Sequence, residues 1–252
     1  MAAAYDTYNY PSYWKDRDYE HESELIAIKE LLGNIEIINT VLEVGAGYGR
    51  LTPSYMYRSK RVILSDPSSK LLKIARENYA DQKNIKYLHS KLENLDKKVK
   101  SKSIDLAIMV RVLHHIDDCD LAFSTIHKLL RNKGYFLLEF ANKRHLKATF
   151  AHFFKGDFTI PIDIFPKDIR SVKHKKQKTL PFVNYHPDDI AKKLEDNGFE
   201  LIGKRSVSNI RSSTIKKMFP TDTLLSIESS IQKPLSKINF GPSMFVLSQK
   251  KA

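Results

Sequence analysis

The residues best suited to chemistry fall at the ends of three apolar runs. Val41-Leu42-Glu43-Val44 leads into Gly45-Ala46-Gly47-Tyr48-Gly49-Arg50, a turn with glycine at alternate positions. Glycine lets a backbone press against a ligand where a Cβ would collide. Arg61-Val62-Ile63-Leu64-Ser65 ends in Asp66, about 20 residues beyond the glycines, where a carboxylate can accept both hydroxyls of a ribose. The third run, Asp105-Leu106-Ala107-Ile108-Met109-Val110, is followed by Arg111-Val112-Leu113-His114-His115. With an ordinary pKa of about 6.5, either histidine could be a general base, or both could shape a pocket. The glycine spacing departs from the dinucleotide fingerprint G-x-G-x-x-G: Arg50 stands in the third glycine's place and Gly49 falls one residue early.

These residues need strands that end together and helices that return the chain. Leu25, Ile28, Leu31 and Leu32 recur at helical spacing from Glu20 to Leu32, with Gly33 as a stop. After the glycine loop, Leu51 to Tyr57 should be helical, with Pro53 in the first turn. Pro67 and Ser68 open a helix that buries Leu71, Leu72, Ile74 and Ala75, and Ile85 to His89 is a short third strand. Asp120 to Leu130 has helical spacing and precedes a Gly134 turn and a fifth strand. His186-Pro187-Asp188-Asp189 caps a helix ending near Asn197-Gly198. Phe199 to Val207 and Ser243 to Ser248 read as a sixth and a seventh strand, and the connection from Ile210 to Phe240 is long enough for one or two helices.

The form E-x-G-x-G-x-G, with Glu43 ahead of Gly45, Gly47 and Gly49, resembles motif I of the class I S-adenosylmethionine (SAM)-dependent methyltransferases. The Asp66 strand, the run from Asp105 to Asp118, and Leu129 to Glu139 with its glycine turn follow in that family's order. The likeness spans about Val41 to Asn142 and is greatest to the small-molecule branch that includes the ubiquinone and menaquinone biosynthesis methyltransferases. It implies an α/β, Rossmann-like doubly wound sheet of seven mostly parallel strands with an antiparallel last strand. Helices should cover both faces, with insertions after strands 5 and 6. Residues 1–252 would then be one domain: a cover and helix over 1–40, a cofactor core over 41–142, and acceptor-side insertions over 143–185 and 209–242.

The same resemblance implies SAM as cofactor, S-adenosylhomocysteine as product, and no metal. Its contacts would come from Glu43, Gly45, Ala46, Gly47, Tyr48 and Gly49 in the loop, from Asp66 and Pro67, and from Arg111 and Val112. Lys91, Leu92 and Glu93 occupy the adenine loop, although the family usually has an acid where Lys91 stands; a backbone amide, Ser90 or Glu93 could serve instead. Relatives fold their leading segment over the cofactor. Tyr13, Trp14, Arg17 and Tyr19 are therefore candidates to cover it, with Arg17 meeting its carboxylate; the alternative is that these aromatics dock outside the core. His114 and His115 are the candidate catalytic residues.

Composition bounds the rest. The chain has 252 residues, 42% of them hydrophobic, which suits one α/β domain. No apolar run approaches bilayer length and no signal core leads the chain, so a cytoplasmic protein is expected. Cys119 is the only cysteine; its acidic neighbours Asp117, Asp118 and Asp120 should raise its pKa, which argues against a nucleophile. The net charge of +13 suits nucleic acid, anionic lipid or an acidic carrier, or reflects a lysine-rich composition. Lys143, Arg144, Lys147, Lys155, Lys167, Arg170, Lys173, Lys175, Lys176 and Lys178 alternate with Phe150, Phe153, Phe154, Phe158 and Phe165 in the first insertion. They could form a lid over the acceptor or a satellite core with a solvated face. Methyl transfer to a small or lipid-like acceptor is the leading expectation. An RNA methyltransferase using the basic lid and a non-catalytic SAM-binding module are the alternatives.

Overall fold

Short runs rich in apolar residues form strands, buried from both sides in the middle of the sheet and partly exposed at one edge of it. In the computed structural model, which describes residue 6 and residues 10–33, 35–143, 165–168 and 182–251, these are β1 (Ile38–Val44), β2 (Ser59–Asp66), β3 (Ile85–His89), β4 (Ile104–Met109) and β5 (Leu130–Ala141). They pair in parallel, in the order β3-β2-β1-β4-β5. Then β9 (Ser243–Lys250) runs antiparallel between β5 and β8 (Phe199–Val207), completing seven strands with the reversed last one. A separate two-stranded pair joins β6 (Lys167–Asp168) to β7 (Val183–Asn184).

Helices cover both faces of the sheet. On one side α2 (Asp18–Leu32) contributes Ala27, Ile28, Leu31 and Leu32, and α3 (Ser69–Asn78) contributes Leu72 and Ala75, against Val41, Leu64, Leu106 and Ile108. On the other, α4 (Cys119–Leu129) and α5 (Pro187–Asp196) set Phe123, Ile126, Ile190 and Leu194 against Leu42, Met109, Phe136 and Phe199. Each such fully buried Leu or Phe stabilises the fold by roughly 1.5–3 kcal/mol. Ser68, Asp118 and His186 cap α3, α4 and α5 by accepting from the N–H groups of Leu71, Leu121 and Asp188. A short α1 (Tyr10–Tyr13) precedes α2. No helix among the described residues is long and apolar enough to cross a membrane.

Two local expectations are corrected. Leu51 to Tyr57 is not an α-helix but two single 3₁₀ turns, Thr52–Ser54 and Met56–Arg58. Side chains explain the break: Thr52 and Tyr55 both donate to buried Glu43, while Arg58 donates to the carbonyls of Leu32 and Ile35. These ties hold the segment away from the helical path. The expected Gly134 turn lies inside β5, which leaves α4 directly at Leu130, and a Cβ on Gly134 would lie 2.9 Å from the Arg131 carbonyl oxygen. The irregularity appears instead as a register shift opposite Ile104 and Leu106, with Lys133 at φ +59°. Cys119 is buried, and burial more than its acidic neighbours raises its pKa. Tyr5, Tyr8 and the insertion residues Arg144, Lys147, Lys155, Arg170, Lys173, Lys175, Lys176, Lys178, Phe150, Phe153, Phe154 and Phe158 lie outside the described residues.

The second insertion supplies α6 (Ser213–Met218) and α7 (Thr221–Ser236). Helix α7 packs on α2 and β8 and places Glu228 in the interior. The Tyr19 hydroxyl donates to Glu228 at 2.5 Å and accepts from the Ile210 N–H at 3.1 Å. Asn209 donates to the same carboxylate through its backbone and side chain. Tyr19 is therefore a structural tie between the leading helix and the insertion, not an exposed aromatic. Removing its hydroxyl leaves buried groups unpaired, so Tyr19→Phe should cost about 1–3 kcal/mol. Urea unfolding followed by circular dichroism should show the reduced midpoint.

Candidate functional site

Register brings the chemically capable residues together. Val44 pairs with Ser65, so the turn after β1 and the acid ending β2 emerge side by side at the carboxyl edge. The N–H groups of Gly45 and Ala46 donate to the Ser65 carbonyl at 2.7 and 3.0 Å. Beyond them, the Gly47 N–H donates to one Asp66 carboxylate oxygen at 2.8 Å and the Ser68 N–H to the other at 2.7 Å. Burial pushes the Asp66 pKa up to about 6 against the pull of those two amides.

Glycine is required here for two different reasons. Gly45 has φ +70°, and a Cβ on it would lie 2.2 Å from Cγ2 of Val112, so the loop after β4 packs directly on the turn. Gly47 has φ +57°, but a Cβ there would meet only Leu71 and the Tyr10 ring, at 3.8 and 3.9 Å. The Gly47 face is therefore open apart from a ring carried by the leading segment. That segment is anchored nearby, since Ser68 donates to the Asp6 carboxylate at 2.5 Å and Lys70 to the Asp6 carbonyl at 3.1 Å.

Glu43 lies buried at the end of β1, where its Oε2 accepts from the Tyr55 hydroxyl and from Thr52 Oγ1 at 3.2 Å. These bonds brace the stretch that follows the loop. Burial pushes its pKa up to about 7.

A second carboxylate gathers two arginines beside the loop. Glu24 of α2 is fully buried and takes Arg50 at 2.5 Å and Arg111 at 2.6 Å. Burial alone would raise the Glu24 pKa, but Arg111 and Arg50 overcome it and hold the carboxyl below its ordinary range. His21 meets Arg50 at 2.6 Å, and the Trp14 ring lies 3.5 Å from the Arg50 guanidinium and 4.7 Å from that of Arg111. Arg111 is itself at φ +58°, with its N–H donating to Glu139 at 2.8 Å. Arg17 rests over the Tyr13 ring at 4.2 Å. Tyr13 stacks on Tyr10, which meets Tyr48 edge-on. Glu24, His21, Arg50, Tyr10 and Glu139 thus belong to the site although the sequence did not nominate them. Only Arg50 carried a signal, as the side chain standing in place of a third glycine.

Further along the edge, buried His114 lies 4.0 Å from His115 and 4.3 Å from Phe182 between ring centroids. Burial drives the His114 pKa well below its ordinary value, and neighbouring His115 and Arg111 add to the effect. The Tyr185 hydroxyl holds the turn by donating to the Leu113 and Ile116 carbonyls. On the opposite flank the Ser90 N–H donates to the Asp66 carbonyl at 3.1 Å, which sets the following loop beside β2. In that loop Leu92 is buried in the core, whereas Lys91 and Glu93 are exposed. The Pro67 carbonyl accepts from the His89 ring at 2.9 Å.

The Glu43 pKa has a direct consequence for stability. Between its ordinary value of 4.5 and about 7, the folded chain keeps a proton that the unfolded chain has released. This group's contribution therefore falls as pH rises through that window and stays low above it. Glu43→Gln retains an acceptor for Tyr55 and Thr52 but abolishes the titration. Its stability relative to the parent should rise from pH 5 to pH 8 by on the order of 3 kcal/mol, measured by urea unfolding at each pH.

Residues 42–138 match the model of a methyltransferase domain family. No curated protein matches the chain. Among solved structures, a SAM-dependent methyltransferase of Thermotoga maritima, described as a possible histamine N-methyltransferase, has a TM-score of 0.61 at 15% identity, covering 98% of each chain. A methyltransferase of Haloferax volcanii, solved in complex with the Trm112 activator, has a TM-score of 0.62 at 15% identity, covering 99% of this chain and 97% of the other. Magnesium protoporphyrin IX methyltransferase of Synechocystis, solved with bound S-adenosylhomocysteine, has a TM-score of 0.59 at 19% identity, covering 94% and 86%. At these identities the likeness speaks for the fold, and the matched domain supplies the activity. Residues 42–138 thus form a methyltransferase domain, carried on a fold that the whole chain shares with solved SAM-dependent methyltransferases.

Proposed function

We propose that this enzyme methylates a small or lipid-like acceptor bound against the ring cluster of His114, His115 and Phe182. The observation that carries this reading is the character of that wall: three rings in contact, the central one buried and held neutral. An aromatic surface with a neutral ring at its centre suits a planar or apolar acceptor better than a phosphate backbone.

The cofactor reading rests on the open face of Gly47. A Cβ on Gly47 would meet nothing closer than 3.8 Å, which supports close approach of a nucleoside there, with Asp66 beside it as the acceptor for ribose hydroxyls. Gly45, Ala46, Tyr48 and Gly49 complete the loop, and Glu43 braces it from below. Pro67 and the Lys91, Leu92 and Glu93 loop flank the base side. Two arginines against one Glu24 leave a positive surplus suited to the cofactor's carboxylate, so we assign that task to Arg50 and Arg111, in place of Arg17. Tyr10, Tyr13, Trp14 and Arg17 form the cover that excludes water.

Bound SAM supplies an electrophilic methyl carbon on a sulfonium whose leaving group is neutral. The chain's own task is then mainly alignment and exclusion of water. Val112 transmits the position of the β4 loop to the glycine turn, so the acceptor wall and cofactor loop keep one geometry. An acceptor that must lose a proton would pass it to His114 or His115.

Two measurements test this reading. Isothermal titration should detect SAM and S-adenosylhomocysteine binding, with Asp66→Ala weakening both at least tenfold, about 1.4 kcal/mol. Tritiated methyl from SAM, incubated with the enzyme and host extract, should appear in the small-molecule or lipid fraction. Label confined to RNA or protein would reject the proposed acceptor while leaving the cofactor assignment intact.

A further inference from the structure

The amino edge of the sheet carries a feature that methyl transfer does not use. Lys60 and Arg61 at the start of β2, together with Lys83, Asn84, Ile85 and Lys86 around the start of β3, line a groove of about 560 Å³. All four cations are exposed. Among the described residues, none is ion-paired or hydrogen-bonded through its side chain to an acid. The register keeps them together, because Val62 pairs with Ile85 and Ile63 with Lys86, and the Val62 N–H donates to the Asn84 carbonyl at 3.0 Å. Large apolar side chains are exposed at the same edge. Tyr57, three residues before Lys60, is 67% exposed, and Ile37, just ahead of β1, is 63% exposed.

We infer that this groove binds single-stranded RNA, through its phosphates at Lys60, Arg61, Lys83 and Lys86 and through a base stacked on Tyr57. Four unpaired cations along a concave edge suit an extended polyanion, which gains affinity by releasing its condensed counterions. Exposed Tyr57, three residues before Lys60 in the chain, supplies a stacking platform of the kind single strands use. A bilayer fits less well. Lys60 and Asp66 are the two ends of β2, about 20 Å apart at the usual rise per residue. A membrane against the groove would therefore turn the cofactor edge away from any acceptor in the lipid. The inference does not depend on which acceptor is methylated.

The test uses the full chain and a fluorescein-labelled twelve-nucleotide single-stranded RNA, with anisotropy titrations from 50 to 300 mM KCl. The parent should bind with a strong salt dependence. K60Q/R61Q/K83Q/K86Q should weaken binding at least tenfold at 100 mM salt and reduce the slope of log affinity against log salt by about 3, at about 0.7 per phosphate contact. Y57A should weaken binding at least fivefold with the slope unchanged, as expected of a lost stack. Melting temperature and SAM affinity serve as controls, since none of these residues touches the cofactor edge. Unchanged affinity and slope in the quadruple variant would overturn the inference. So would loss of binding to vesicles of mixed phosphatidylcholine and phosphatidylserine without loss of RNA binding, which would make the edge a membrane contact. Equal loss of both, with no effect of Y57A, would make it a patch without preference and would overturn the inference as well.

Discussion

The Asp66 carboxylate, held between the amides of Gly47 and Ser68, is the contact on which the site depends. One oxygen ties β2 to the turn after β1, and the other fixes the start of the helix that follows β2. Those bonds can form only because Val44 and Ser65 are register partners, which brings both strand ends to one level. That pairing is packed on both sides, with Val41, Val62 and Leu64 in one core and Leu42 and Ile63 in the other. The chemistry at the edge thus inherits its precision from apolar packing in the middle of the sheet. A carboxylate this buried also resists ionisation, and the two amides offset part of that cost.

Buried acids place the leading helix as well. Glu24 and Glu228 lie at different points along α2, the first carried by the helix and the second brought to it by α7. Glu24 joins α2 to the glycine turn through Arg50 and to the β4 loop through Arg111. Glu228 joins Tyr19, at the start of α2, to the segment after β8 through Asn209. An unpaired buried carboxylate would be costly, so each acid specifies its neighbours more than it stabilises the fold. The segment carrying Tyr10 and Trp14 has no comparable core of its own. Its position over Gly47 follows from where α2 is held on one side and from the Asp6 contacts with Ser68 and Lys70 on the other.

Much of this was legible from local pattern. Strands buried on both faces read as plain apolar runs, Gly45 and Gly47 mark positive-φ positions, and Ser68, His186 and Gly33 sit where a helix start or stop was expected. What escaped were features decided by partners distant in sequence. Leu51 to Tyr57 has acceptable helical spacing, but Glu43 claims Thr52 and Tyr55, and that competition leaves no local trace. Glu24 looks like one more polar residue on an amphipathic helix until Arg50 and Arg111 close on it. Arg50 was informative only by exclusion, as the residue that rules out a dinucleotide turn.

The buried His114 constrains the reaction more than the histidine pair does as sequence. A ring whose protonated form is disfavoured by burial and by nearby Arg111 is a poor resting place for a proton. Catalysis through such a group would need an acceptor acidic enough to release its proton early, or one whose proton leaves only after the methyl has moved. A neutral leaving group lowers the demand for charge compensation at the sulfur, so the wall around the acceptor has no need of a fixed cation or anion. The contacts agree with that economy. His115 and Phe182 offer π faces to His114, while the charges nearby are already committed, Arg111 to Glu24 and to the cofactor side of the edge. Under the proposed reading, alignment by rings with ionic groups on the cofactor's flank would separate holding the donor from orienting the acceptor.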